Sequence, residues 1–269
     1  EMYVVLDGSI SIFLEKDGMR TDLVRLEKGN TFGEMGLFRN AERSASAEAY
    51  EKTRLLVINR DCLEPLKKRN PKIAAKLFLN LANSLQSSLK ETDERLLAQK
   101  DFNLSSLEAK LNEDAELEQK EMSIDPKAEW EKLGKKWHAK LEPFTIQYSV
   151  SKGKKLTKIN PEKGNFVFIK SGEVAVESRV SPGSNAFSVG YCWTRQGFDL
   201  VGEFVLCEGK ADSSARATAR KDSELMHFTH ESLLSLTQQE PRVAAQFLEN
   251  LVCMLSDQLA IADKRLQNN

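Results

Sequence analysis

Leu63 to Leu96 reads LEPLKKRNPKIAAKLFLNLANSLQSSLKETDERL, and Leu233 to Leu266 reads LLSLTQQEPRVAAQFLENLVCMLSDQLAIADKRL. At an offset of 170 the two agree at 12 of 34 positions, where unrelated sequences would agree at about two. The shared residues include Pro71, Ala74, Ala75, Leu81, Leu85 and Leu89. That spacing keeps one stripe of a helix apolar, with a proline at its first turn. The stripe packs on its own domain, or also on a helix of a second chain. Moving towards the N-terminus, Phe32-Gly33-Glu34 falls on Val201-Gly202-Glu203 and Asp7-Gly8 on Ser171-Gly172. Two related halves with one order of elements follow. Each half opens with short β-patterned runs, in the first Tyr3 to Leu6, Ser9 to Leu14, Leu23 to Leu26, Ser44 to Ala49 and Arg54 to Ile58, punctuated by Gly and Asp turns. The fold class is α+β: a β-rich antiparallel body and a long C-terminal helix, twice.

Domain bounds follow from the repeat. Residues 1–99 form the first domain and 125–269 the second, which opens with a lead-in helix marked by Trp130, Leu133 and Trp137. The first half lacks that lead-in, so the chain reads as truncated at its start. Between them, 100–124 is an acidic, partly helical linker, with seven acidic residues and two lysines in Asp101 to Glu121.

The 269 residues are enough for two cores. Thirty-nine Lys plus Arg against 40 Asp plus Glu leave a net charge of −1, so no basic field gathers nucleic acid. No apolar run approaches the roughly 20 residues of a membrane span. Cys62, Cys192, Cys207 and Cys253 stand far apart and away from His138, His227 and His230, which argues against a metal centre and reads as buried thiols in a reducing, cytoplasmic setting. His227 and His230, near the end of the last strand, form a pH-sensing pair or a partly exposed strand end.

The chemistry concentrates in Phe32 to Ala47, FGEMGLFRNAERSASA. A glycine beside a glutamate lets backbone approach a ligand closely, and a short turn with free N–H groups cradles an anion. Arg43 supplies a guanidinium fork for two phosphate oxygens, and Ser44 adds a hydroxyl. Glu34, an acceptor only, suits a sugar hydroxyl. Phosphate and ribose together make a nucleotide site; a surface Glu-Arg ion pair is the alternative on these grounds alone.

This segment resembles the phosphate-binding cassette of the cyclic-nucleotide-binding domains shared by the catabolite activator protein and the regulatory subunits of cyclic-AMP-dependent protein kinase. Phe32 to Leu37 and Arg43 to Ala49 satisfy every position of that pattern. The resemblance implies two β-roll, jelly-roll-like domains with flanking helices. It also implies a ligand pocket of Phe32, Gly33, Glu34, Met35, Arg43, Ser44 and Ala45, in which Glu34 accepts from the ribose 2′-hydroxyl and Arg43 pairs with the cyclic phosphate. Ser88 falls where the family's long helix reaches the purine amino group, which favours cyclic AMP over cyclic GMP; Ser87 and Ser88 also read as solvent-facing.

The second half departs from the pattern. Gly202 and Glu203 remain, but Ser213 and Ser214 stand where Arg43 and Ser44 do, and Arg216 comes three residues late. A degenerate second site is expected. No nucleophile and base, paired catalytic carboxylates or metal set points to an enzyme. The expected function is a cyclic-nucleotide-responsive regulatory protein without other cofactors, acting on a protein effector, with a homodimer through the long helices as one arrangement. The alternatives are a structural module with vestigial pockets, or the cytoplasmic part of a larger transporter or channel.

Overall fold

A computed structural model describes residues 1–16, 19–39, 45–98, 126–156, 166–179, 189–196, 200–201 and 215–268. The expected boundary at residue 99 and the linker 100–124 lie outside these. By contact the chain divides into two units, Glu1–Ala74 and Ala75–Asn269.

The first unit contains β1 (Met2–Asp7), β2 (Ile10–Lys16), β3 (Met19–Leu26), β4 (Thr31–Phe32), α1 (Glu34–Arg39), β5 (Ser46–Ala49) and β6 (Arg54–Ile58). A 3-10 turn (Arg60–Cys62) and α2 (Leu63–Arg69) follow, and then α3 (Pro71–Ala98) begins. The strands make two antiparallel sheets, ordered β4-β1-β6 and β3-β2-β5. Met2, Val5, Ile10, Leu37 and Leu63 are buried in this unit. The helical tail breaks between α2 and α3 because Asn70 leaves the helical region (φ −137°, ψ 64°). A residue ahead of proline is pushed from helical geometry, and Pro71, lacking an N–H, then opens the next helix at no hydrogen-bond cost.

The second unit adds α4 (Pro126–Leu141), interrupted at Gly134 (φ 72°, ψ 165°), and a 3-10 turn (Glu142–Phe144). Then come β7 (Ile146–Val150), β8 (Phe166–Ser171), β9 (Glu173–Arg179), β10 (Val189–Gln196), β11 (Leu200–Val201), β12 (Ala215–Ala219) and β13 (Ser223–Phe228). Helices α5 (His230–Gln239) and α6 (Pro241–Asn268) close the chain. The sheets are ordered β11-β8-β13-β7 and β10-β9-β12. Leu156, Val167, Ile169, Val174, Ala219 and Leu225 form one core cluster. Phe168, Phe228 and Phe247 form another, with ring centroids 4.7 to 5.8 Å apart, which holds α6 to the sheet.

Strand register repeats as the sequence does. Tyr3 pairs with Phe32 as Val167 pairs with Val201, and Phe13 pairs with Ser46 as Glu177 pairs with Arg216. The turns after β1 and β8 are equivalent down to their hydrogen bonds. Gly8 (φ 79°) and Gly172 (φ 99°) both adopt left-handed geometry, and a Cβ would lie 2.6 Å from the Lys52 carbonyl oxygen in one and 2.5 Å from that of Asp222 in the other. Only glycine fits such a place. Beside them, the Ser9 N–H donates to Thr53 Oγ1 at 3.2 Å and the Glu173 N–H to Ser223 Oγ at 3.1 Å.

Two sequence expectations are corrected. Cys62 is exposed and Cys253 half-buried, so neither is a fully buried thiol. His227 is not at an exposed strand end: it is 5% exposed, on a strand flanked by β7 and β8, and no hydrogen-bond partner meets either ring nitrogen. Its environment is apolar, with the Tyr148 ring 6.2 Å away. His230 starts α5 and is half-buried, just after Thr229, whose Oγ1 caps that helix by accepting from the Ser232 N–H at 3.1 Å.

Burial lowers the His227 pKa below its ordinary 6.5, since a charged imidazolium there loses hydration. Above that value both folded and unfolded chains hold it neutral, and it contributes no pH dependence. As pH falls through it, the unfolded state takes up a proton that the folded state refuses, so stability drops, by at most about 1.4 kcal/mol per pH unit. The drop stops once pH passes the lowered folded value. Denaturant unfolding of wild type and His227→Leu from pH 8 to pH 5 is expected to show the wild type losing ground to the variant only below about 6.5; a constant difference across the range contradicts this origin.

Candidate functional site

The site is built where β4 ends. Phe32 is fixed by pairing with Tyr3 on β1, and the two rings stack at 5.0 Å between centroids. Gly33 then turns with φ 79°, which stops the strand and swings the chain into α1. The sequence reading took this stretch as an open turn; instead Glu34–Arg39 closes into a short helix, with the Leu37 N–H donating to the Gly33 carbonyl at 3.3 Å. Burial drives the difference. Leu37 and Phe38 are 1% and 8% exposed, and packing them requires that the backbone coil under them.

Glu34 is the first residue of α1 and half-buried, with Oε2 shielded from solvent. Met35 beside it is also half-buried. Arg43 and Ser44 lie outside the described residues. Ala45 is half-buried, and β5 leads away from it along β2, with every residue exposed. Phe32, Gly33, Glu34, Met35 and Ala45 are thus held within the first unit, while Ser88 lies on the part of α3 that belongs to the second. Ser88 is half-buried, and its neighbour Ser87 donates to the Asn83 carbonyl at 3.1 Å.

One contributor was missed in the sequence. Arg60, in the 3-10 turn ahead of α2, donates through Nε to the Leu37 carbonyl at 2.8 Å and through a terminal nitrogen to the Phe38 carbonyl at 3.0 Å, with a further bond to Leu37. These are carbonyls of the last turn of α1, which have no partners inside the helix. A cation there completes the hydrogen bonding and meets the negative end of the peptide dipoles. The contact spans 23 residues, and only the basic residue just past a strand hinted at it. Arg60 therefore ties the end of α1 to the start of the helical tail. Removing it is expected to weaken any ligand held by α1 by roughly 10- to 150-fold, since a hydrogen bond to a charged group is worth roughly 1.5 to 3 kcal/mol. Calorimetric titration of Arg60→Ala measures this, with Arg60→Lys recovering part; unchanged affinity in Arg60→Ala rules the role out.

In the second half, β11 reaches the equivalent point against β8. Gly202, Glu203, Ser213 and Ser214 lie outside the described residues. Arg216 belongs to β12, opposite Glu177 in register. Among the described residues, no cluster of three or more His, Cys, Asp or Glu side chains is arranged to hold a metal, and no helix is long and apolar enough to cross a membrane.

Residues 1–70 match the family model described as Cyclic nucleotide-binding domain, about a quarter of the chain. Two curated relatives each match part of the chain. The Cyclic AMP receptor protein of Thermus thermophilus is 38% identical over 93 residues, covering 34% of this chain and 43% of that protein. A protein of Rhodopseudomonas palustris named for a potassium channel is 40% identical over 78 residues, covering 28% of this chain and 18% of that one. The chain thus spans less than half the length of either relative. The solved catabolite activator protein of Thermus thermophilus aligns at 20% identity with a TM-score of 0.39, covering 54% of this chain and 62% of that one.

Proposed function

We propose, with the family match over residues 1–70 as the premise, that the first half binds one cyclic nucleotide, cyclic AMP in preference to cyclic GMP, in a regulatory and not a catalytic role. The observation that carries this is the junction at Gly33-Glu34, where a positive-φ glycine delivers a half-buried carboxylate at the head of α1, inside the matched segment. Glu34 accepts from the ribose 2′-hydroxyl, Arg43 forks onto the cyclic phosphate, and Ser44 adds its hydroxyl. Phe32, Gly33, Met35 and Ala45 line the pocket, and Ser88 meets the purine amino group. No bond is made or broken, so nothing beyond this binding set is needed. The second half, with Ser213 and Ser214 at the positions of the arginine and its neighbour, binds the same ligand weakly or not at all.

A ligand acts on such a protein only through a difference in its affinity for two conformations. An arginine-phosphate pair and a base contact on a separate helix supply that difference if α3 must approach the pocket to complete it. The long helix is then the output element, passing occupancy to a protein effector in the cytoplasm. Calorimetry on the whole chain with cyclic AMP, cyclic GMP and AMP tests the reading. One saturable event per chain, tightest for cyclic AMP and absent for AMP, is expected; no heat and no thermal stabilisation with either cyclic nucleotide leaves a structural module in its place. Stabilisation is a sensitive check, since a ligand that binds only the native form adds about 2.7 kcal/mol at a hundredfold excess over Kd.

A further inference from the structure

We propose that the second half of the chain is the docking partner of the first half's long helix and the receiver of its movement, a step that rests on the reading that residues 32–49 bind a cyclic nucleotide. Helix α3 starts in the first unit, but from Ala75 onward it belongs to the unit that runs to Asn269. Its buried stripe, Leu81, Leu85 and Leu89, has the same spacing as Leu251, Leu255 and Leu259 on α6, also buried. Near the end of that stripe Thr92, 7% exposed, donates through Oγ1 to Asp263 Oδ1 at 3.3 Å. The offset of 170 between the halves makes Asp263 the counterpart of Asp93, the neighbour of Thr92. The two helices therefore meet within one residue of equivalent positions, close to what a two-fold axis between them would give.

The surroundings of α6 agree. Met254 through Ala262 are all buried, Ser256 and Asp257 among them at 0% exposure. Successive helical residues point about 100° apart, so a buried run of this length leaves no side open to water. Phe247 seats α6 on the sheet, and α4 and α5 pack along it. The Thr92 contact brings α3 to the same helix. An ordinary surface helix would show a polar face to solvent; α6 instead has a neighbour on each side. A second copy of the chain is thereby replaced by the chain's own second half, which keeps the scaffold of a binding domain while lacking its arginine.

All three tryptophans, Trp130, Trp137 and Trp193, lie in the second half, and residues 1–99 contain none. The whole chain is titrated with cyclic AMP while heat and tryptophan emission are followed in parallel. The emission is expected to change saturably with the calorimetric midpoint, and to be silent in Arg43→Ala. In Thr92→Glu, which sets a second carboxylate against Asp263, the change is expected to fall below about half with the calorimetric Kd little altered; Asp263→Ala is the second variant should Thr92→Glu not fold. Calorimetric binding with unchanged emission overturns this inference alone, as does an emission change that survives Arg43→Ala. Absence of calorimetric binding removes the site reading, and the relay with it. In a chain whose four native cysteines are replaced by serine, a short bismaleimide is expected to join Thr92→Cys to Asp263→Cys within one chain, giving a faster-migrating monomer. Linked dimers alone, or no link, overturn the docking.

Discussion

Arg43→Ala is expected to weaken cyclic AMP binding by about 30-fold to several thousand-fold, the range that follows from 2 to 5 kcal/mol for truncating one partner of a buried charge pair. The size of the effect comes from what is left behind. A cyclic phosphodiester carries one full negative charge, and a pocket that removes it from water without a counter-charge costs the whole desolvation penalty. Arg43→Lys keeps the charge but loses the planar fork, and its affinity should fall between the two. The chain contains its own comparison: at the position of Arg43 the second half has Ser213. Calorimetry of the wild type should therefore give one tight site per chain and not two. An Arg43→Ala variant within threefold of wild type, or two equal sites per chain, sinks the assignment.

The parts of this fold that were legible in the sequence are those set by local pattern. The strands in the first half follow from short alternating runs between glycine turns, and the helix from Pro71 follows from a proline ahead of an apolar stripe. The internal repeat shows as matches at one offset, and the pairing of Tyr3 with Phe32 recurs in that of Val167 with Val201. What was not legible depends on distant residues. Helix α1 exists because Leu37 and Phe38 are buried and because Arg60, 23 residues on, holds its last carbonyls. The burial of His227 needs β7 and β8 on either side of its strand. The break at Asn70 is a matter of one residue's dihedrals ahead of a proline. The candidate site divides in the same way. Gly33 and Glu34 were marked by the pairing of a flexible residue with an acceptor, whereas the unit to which Ser88 belongs was not readable, since a helix that starts on one unit and continues in another leaves no mark in its own periodicity.

Phe228→Ala is expected to be the most destabilising single change in the second half. The ring is 0% exposed, lies 4.7 Å from Phe247 and meets Phe168 edge-on at 5.8 Å, so it touches sheet and α6 together. Truncating a buried phenylalanine costs about 3 to 5 kcal/mol through lost transfer energy and the cavity left behind. Each aromatic pair adds about 0.5 to 1.5 kcal/mol that an alanine cannot replace. The counterpart of Phe228 in the first half is Ile58, which is only half-buried. Ile58→Ala should accordingly cost less, because its side chain already retains part of its hydration. Denaturant unfolding followed by far-ultraviolet circular dichroism reports on the strands and helices of both halves. The midpoint should move far towards lower denaturant in Phe228→Ala and little in Ile58→Ala. Equal shifts in the two would mean that α6 is held by something other than this aromatic cluster, and that the enclosure of Met254 through Ala262 has a different origin.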